Sequence, residues 1–191
     1  MTTLAEIAGL VGAGDHRFPE PATLAQLSVF ESTIGAELPD ALKALYRQAD
    51  GETVSYKQGS PGLFLESDFL SIARATHRYQ AFCSVIEGDG QLATWDGRMV
   101  SLPSEVVLPR YFNPGWVPFA GSAQDLFAVD LNPGPKGVVG QIIWINPDIL
   151  RRKRVASSLD EFLQRVVTLY QAKQWNGRFG GVWDLDKLPA V

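Results

Sequence analysis

Histidine, cysteine and paired acids are the side chains from which a catalytic or metal centre is most easily built, and this sequence offers few of them at workable spacing. Its 191 residues contain 2 His and 1 Cys, namely His16, His77 and Cys83. Zinc sites need clustered ligands, and no spacing here matches. His77 and Cys83 lie six residues apart on a segment expected to be helical, so they face different directions and pack rather than pair as base and nucleophile. Asp125 and Asp130 flank the run LFAV. They could act as acid and base if the fold made them converge, or hold calcium, although the alternating oxygen ligands and glycine of an EF-hand are absent. The other reading places Asp125 in a turn and lets Asp130 close its strand with an Asx-type bond into NPG. No GxxxxGK followed by Ser or Thr occurs, nor a GxGxxG between strand and helix. NPGPKGVVG leads into a strand, so its glycines make a tight turn and not a phosphate cradle.

Charge narrows the partners. Lys and Arg number 17 against 21 Asp and Glu, a net charge of -4, so no overall basic field favours nucleic acid. Residues 1–135 hold 8 basic and 16 acidic residues, and residues 136–191 hold 9 and 5. The acidic portion could steer a basic partner toward itself. The one dense run, Arg151 to Arg154 (RRKR), could contact an acidic partner or nucleic acid, and reads more simply as an alternating edge strand with solvated basic tips. Trp95, Trp116 and Trp144 are candidates for stacking on a ligand or for packing on a strand face. A single cysteine excludes an internal disulfide. The start, MTTLAEIAGLVGAGDHRF, lacks a basic n-region and a long apolar core, and no run approaches the ~20 apolar residues of a span. A cytoplasmic protein with no membrane segment and no cofactor is the expectation.

The elements that would position these residues follow from periodicity. A chain of this length with 46% apolar residues fits one large domain that buries about 70% of its unfolded surface. LAEIAGLV predicts a short amphipathic helix, and the breaker GAGDHRFPEP separates an extension, 1–21, from a domain, 22–172, and a tail, 173–191. Thr23 to Gln26 reads as a capping box, opening a helix with Leu24, Leu27, Phe30 and Ile34 on one face and Gly35 as its left-handed stop. LPDALKALYRQADG predicts a second helix entered through Pro39, with Leu42, Leu45 and Tyr46 on one face. GLFLESDFL suits short strands around a turn. Residues 71–87 read as a helix with an apolar face of Ile72, Ala75, Tyr79, Phe82, Val85 and Ile86. Residues 88–115 read as an irregular connection holding one short strand. Residues 116–120, 126–131 and 138–145 then form three strands punctuated by Asn-Pro pairs. SLDE at Ser158 caps a last helix presenting Leu159, Phe162, Leu163, Val166, Val167 and Tyr170.

The succession FESTIGAELPDALKALYRQADGE, GWVPFAGSAQDLFAVDLNPGPKGVVGQIIWI and VASSLDEFL resembles the SUKH superfamily, which includes yeast regulators of cell-wall assembly and killer-toxin resistance. The resemblance covers roughly Leu24 to Tyr170. It implies an α+β domain in which N-terminal helices and a C-terminal helix pack against a mostly antiparallel mixed sheet. GSAQD departs from a glycine-rich turn through Ala123 and Gln124, but keeps Asp125. The resemblance further implies a non-enzymatic protein-binding module. The first expectation is a bacterial immunity-type protein that neutralises a cognate toxin. The alternative is a scaffold or regulator of the cell-wall type with several partners. The residues proposed to meet a protein partner are Tyr46, Asp50, Trp116, Asp125 and Asp130, with core packing as the other role for the two aromatics. A third reading is a carbohydrate-active enzyme with convergent carboxylates from Asp125, Asp130 and an acid of the long connection.

Overall fold

A computed structural model describes residues 2–11, 16–54, 62–88, 96–123, 125–146 and 148–172. The elements run α1 (Leu4–Val11), β1 (His16–Arg17), α2 (Leu24–Ile34), α3 (Asp40–Tyr46), β2 (Thr53–Val54), β3 (Asp68–Phe69) and α4 (Ile72–Gly88). There follow β4 (Val100–Leu102), β5 (Trp116–Gly121), β6 (Leu126–Asp130), β7 (Gln141–Ile145), β8 (Arg151–Ala156) and α5 (Leu159–Gln171). β1 and β2 make a small antiparallel ribbon, and the other strands form a six-stranded sheet in the order β3-β5-β6-β7-β8-β4. Every neighbouring pair is antiparallel except β4 beside β8. The expected α+β architecture with a mostly antiparallel mixed sheet is therefore the one observed.

Local chemistry sets the helix ends. Thr23 and Gln26 close a reciprocal capping box at the start of α2, and Gly35, at φ 69°, ends it. Gly51 sits at φ 84°, and a Cβ there would collide with the Ser71 backbone, so only glycine fits where the α3 exit crosses the start of α4. Asp50, one residue earlier, accepts from the Ile72 amide at 2.7 Å and thereby caps α4. Ser158 accepts from the Glu161 amide to cap α5, while the Glu161 carboxylate takes the Ser157 amide at 2.7 Å, one residue upstream of a reciprocal box.

β5, β6 and β7 are buried along their whole length, so both faces of the central sheet are covered. On one face Phe162 of α5 meets Phe127 and Phe119 at ring-centroid distances of 5.0 and 5.8 Å. On the other, Phe112 stacks on Phe82 of α4 at 4.8 Å and meets Trp116 edge-on at 5.8 Å. Each such ring contributes about 1.5–3 kcal/mol by leaving water. α1 joins the same core through Leu4 and Ile7, and the Leu4 amide donates to Gln48 at 2.9 Å.

Four local readings are corrected. Leu24 is 70% exposed, because the buried stripe of α2 begins a turn later at Leu27. Val85 is also exposed, as it lies beside the stripe of Ile72, Ala75, Tyr79, Phe82 and Ile86 that packs on the core. The third strand of the meander starts at Gln141, and Val138 and Val139 stand exposed in the preceding turn. The RRKR segment is not an edge strand: β8 lies between β7 and β4, and Arg152 and Lys153 are buried. Trp95, Gln124 and the tail 173–191 lie outside the described residues.

Candidate protein-binding surface

The five residues singled out from the sequence do not gather on one surface. Tyr46 is fully buried, against Phe69 at 5.1 Å and Phe30 at 6.5 Å, and desolvation pushes its phenol far above the usual range. Trp116 is equally buried and stands opposite Asp130 in the β5–β6 ladder. Asp130 accepts from the Asn132 amide at 3.0 Å and from Gln141 Nε2 at 2.8 Å, the Asx closure expected of the NPG turn. Burial lifts its carboxyl to about 6 despite those bonds. Asp50 caps α4 and also accepts from Gln26 Nε2 at 3.3 Å. Asp125 accepts from Trp144 Nε1 at 3.0 Å and Asn146 Nδ2 at 2.9 Å, fixing the turn between β5 and β6.

Asp125 and Asp130 thus bracket β6 from its two ends, about 17 Å apart at strand rise. They do not converge as an acid–base pair. Among the described residues, no group of three or more His, Cys, Asp or Glu is placed to hold a metal ion, and no helix is long and apolar enough to cross a membrane. Tyr46, Trp116 and Asp130 shape the scaffold from inside.

Two buried charged groups that the sequence did not single out hold that scaffold together. Glu52 Oε2 meets His16 Nδ1 at 2.9 Å, while Oε1 accepts from the Leu63 and Phe69 amides at 2.8 and 2.7 Å. Burial raises the Glu52 carboxyl, against the pull of the Leu63 amide, His16 and the Phe69 amide. Because the Glu52 backbone N–H also donates to Phe69 O at 2.8 Å, this one residue satisfies the outward-facing groups of β3. The adjoining hairpin turns through Leu65 and Glu66 at φ 53° and 74°, a primed turn built without glycine, at about 1–3 kcal/mol of strain per residue. Tyr170 of α5 stabilises it, its hydroxyl donating to Leu63 O at 3.0 Å and accepting from the Leu65 amide at 2.9 Å.

Arg152 does the same at the other side of the sheet. Its guanidinium donates to the carbonyls of Arg110, Tyr111, Asn146, Ile149 and Arg151 at 2.8–3.2 Å, pinning the connection before β5 to the β7–β8 turn. Burial lowers its pKa to about 10, still well above neutral, so it stays charged. Its only sequence signal was membership of RRKR, where alternation along a strand sends one residue in and the next out.

Among the described residues, an apolar hollow lies beside β4. No strand pairs with its outer edge among the described residues. A groove of about 510 Å³ runs along it, lined by Met99, Val100, Leu102, Leu108, Pro109 and Pro135. Val100 is 49% exposed and is the register partner of Arg151, which is exposed too. A second hollow, about 320 Å³, lies over Arg74, His77 and Arg78 on α4, but Arg74 pairs with Asp68 at 2.8 Å and Arg78 donates to Ser122 O. The β4 groove is the larger and the more apolar of the two.

Comparison with known proteins gives this surface a context. Residues 21–165 match the SMI1 / KNR4 family (SUKH-1). The chain is similar to the cell wall assembly regulator SMI1 of Saccharomyces cerevisiae, at 23% identity over 184 residues, 82% of this chain and 36% of that protein. It is similar as well to the cell wall biosynthesis/cell cycle regulator smi1 of Schizosaccharomyces pombe, at 29% over 165 residues, 81% of this chain and 32% of that one. A KNR4/SMI1 homolog of Yarrowia lipolytica is 35% identical over 85 residues, 44% of this chain and 12% of that protein. The chain spans about a third or less of the length of these relatives. With the match running from the start of α2 into α5, the chain belongs to the SMI1 / KNR4 family.

Proposed function

We propose that this chain is a non-catalytic protein-binding module of regulatory type, working in control of cell-wall or glucan assembly through protein partners. The observation that carries this reading is the similarity over most of the chain to proteins named as cell-wall assembly regulators. Of the two roles expected from the sequence, it favours the regulator over the toxin-neutralising immunity protein. The geometry supports a binding role in its own way. The acids and aromatics of the centre cap turns and fill the core, and an accessible apolar groove lies along a strand edge, where peptide segments dock.

The test is a chimera. The segment of the S. cerevisiae relative that aligns with this chain is replaced by it, and growth of a strain lacking the relative is measured under cell-wall stress. Growth restored by the chimera supports the regulator reading. A chimera that accumulates normally and leaves the strain as sensitive as the deletion overturns it.

A further inference from the structure

We propose that the open edge of β4, with the apolar groove beside it, is the docking site for an extended, acid-flanked segment of a protein partner; this deepens the binding reading above and rests on it.

Three observations lead there. The first is backbone geometry. The Val100 amide donates inward to Leu150 O at 3.0 Å, so strand alternation turns the Ser101 amide and carbonyl away from β8, to the side where no strand pairs among the described residues. The Ser101 side chain is already used, accepting from the Val107 amide at 2.9 Å and donating to Pro103 O. That bond curls residues 103–107 so that the following Leu108 and Pro109 form the far wall of the groove. The second is shape and polarity. The groove falls within the ~300–1,000 Å³ range of ligand pockets, and its apolar lining suits alternate side chains of an extended peptide.

The third is charge, and it decides the occupant. Arg110 follows Pro109 and is exposed. Arg151 flanks Val100, and Lys136 bonds Glu105 on the rim. Against these three cations stand, among the described residues of the rim, two carboxylates, Asp96, which pairs with Arg110 at 2.8 Å, and Glu105. A net positive rim on a chain of net charge -4 favours an acidic segment and disfavours a second copy of this acidic chain.

The experiment uses the full chain and labelled nine-residue peptides with a central Val-Thr-Ile-Thr-Val run. One carries two acids at each end, a second carries lysines there, and a third has proline at the central position of the acidic version. Fluorescence anisotropy is expected to show the acidic peptide binding at least tenfold tighter than the lysine peptide. The advantage should shrink as salt rises from 50 to 300 mM, and the proline version should lose at least tenfold. Val100→Glu and Arg151→Glu, both at exposed positions and each checked for an unchanged melting temperature, should weaken the acidic peptide at least fivefold. Equal binding of acidic and basic peptides, indifference to either substitution, or no binding of the acidic peptide overturns the proposal. The chimera keeps the two readings apart. If it restores growth and its Val100→Glu, Arg151→Glu version does so equally, the docking site falls and the regulator reading stands. If the unmodified chimera fails while the peptide results hold, the regulator reading falls alone.

Discussion

Replacing Asp130 by Asn removes one ionisable group from a fully buried position, and its effect is a matter of pH. Burial outweighs the bonds from Gln141 and Asn132 and lifts the carboxyl from 3.8 to about 6. Because the folded value lies above the unfolded one, the stability Asp130 contributes is fully present below about pH 4 and is lost as pH rises through 6. The whole rise corresponds to about 3 kcal/mol, of which about 2 kcal/mol falls between pH 4.5 and 7. Asparagine does not titrate. Its oxygen can still accept from the Asn132 amide, but its NH2 then faces Gln141 Nε2, a donor that is already committed to Val106 O at 2.9 Å. The lost bond, about 1–2 kcal/mol, offsets most of what is gained at neutral pH by removing a buried charge. The two chains should therefore be of similar stability at pH 7, with the natural chain gaining about 2 kcal/mol on the variant by pH 4.5. Urea unfolding followed by tryptophan fluorescence at half-unit steps measures this directly. Stability curves that run parallel across the window would refute the reasoning, since other titrating carboxyls, Glu52 included, are common to both chains.

Other substitutions probe the scaffold by different routes. Arg152→Met leaves the carbonyls it now holds without a donor and should cost about 3–5 kcal/mol, read as a lowered urea midpoint; a loss under 1 kcal/mol would mean water replaces it. Tyr170→Phe removes the hydroxyl bridging Leu63 and Leu65 and should cost about 1–2 kcal/mol, with faster hydrogen exchange at the Leu65 amide as the local signature. Asp125→Ala frees the indole N–H of Trp144 and the Asn146 amide and should cost about 1–3 kcal/mol, accompanied by a change in Trp144 fluorescence. Gly51→Ala meets both a positive φ and the Ser71 backbone and should lower the melting temperature by more than the Thr23→Ala cap deletion, worth about 1 kcal/mol.

The parts of the fold legible in the sequence were those set by near neighbours. The Thr23–Gln26 box, the Gly35 stop and the α5 stripe from Leu159 to Tyr170 each depend on residues within one or two turns, and each stands as expected. The Asx closure at Asp130 was equally local. What escaped depends on partners far along the chain. Glu52 is an ordinary acid in the sequence, and only the return of residues 62–69 beside it gives its carboxylate amides to accept. Arg152 looked like one basic tip among four until the 96–115 connection covered that face of β8. The β4 groove is assembled from residues 99–109 and from Pro135, so no window of sequence contains it. Tyr46 and Trp116 are the converse case: an aromatic beside an acid looks the same in sequence whether it faces a partner or the core, and both are buried.

The two ends of the sheet are finished differently, and this limits how copies can assemble. At β3 the carboxylate and amide of Glu52 occupy the positions a neighbouring strand would take, while β4 is left able to receive one. A sheet with a single receptive side can join at most one other at that side, back to back. Growth into an endless ribbon needs a second such side on every member, and at β3 of this sheet Glu52 already fills it.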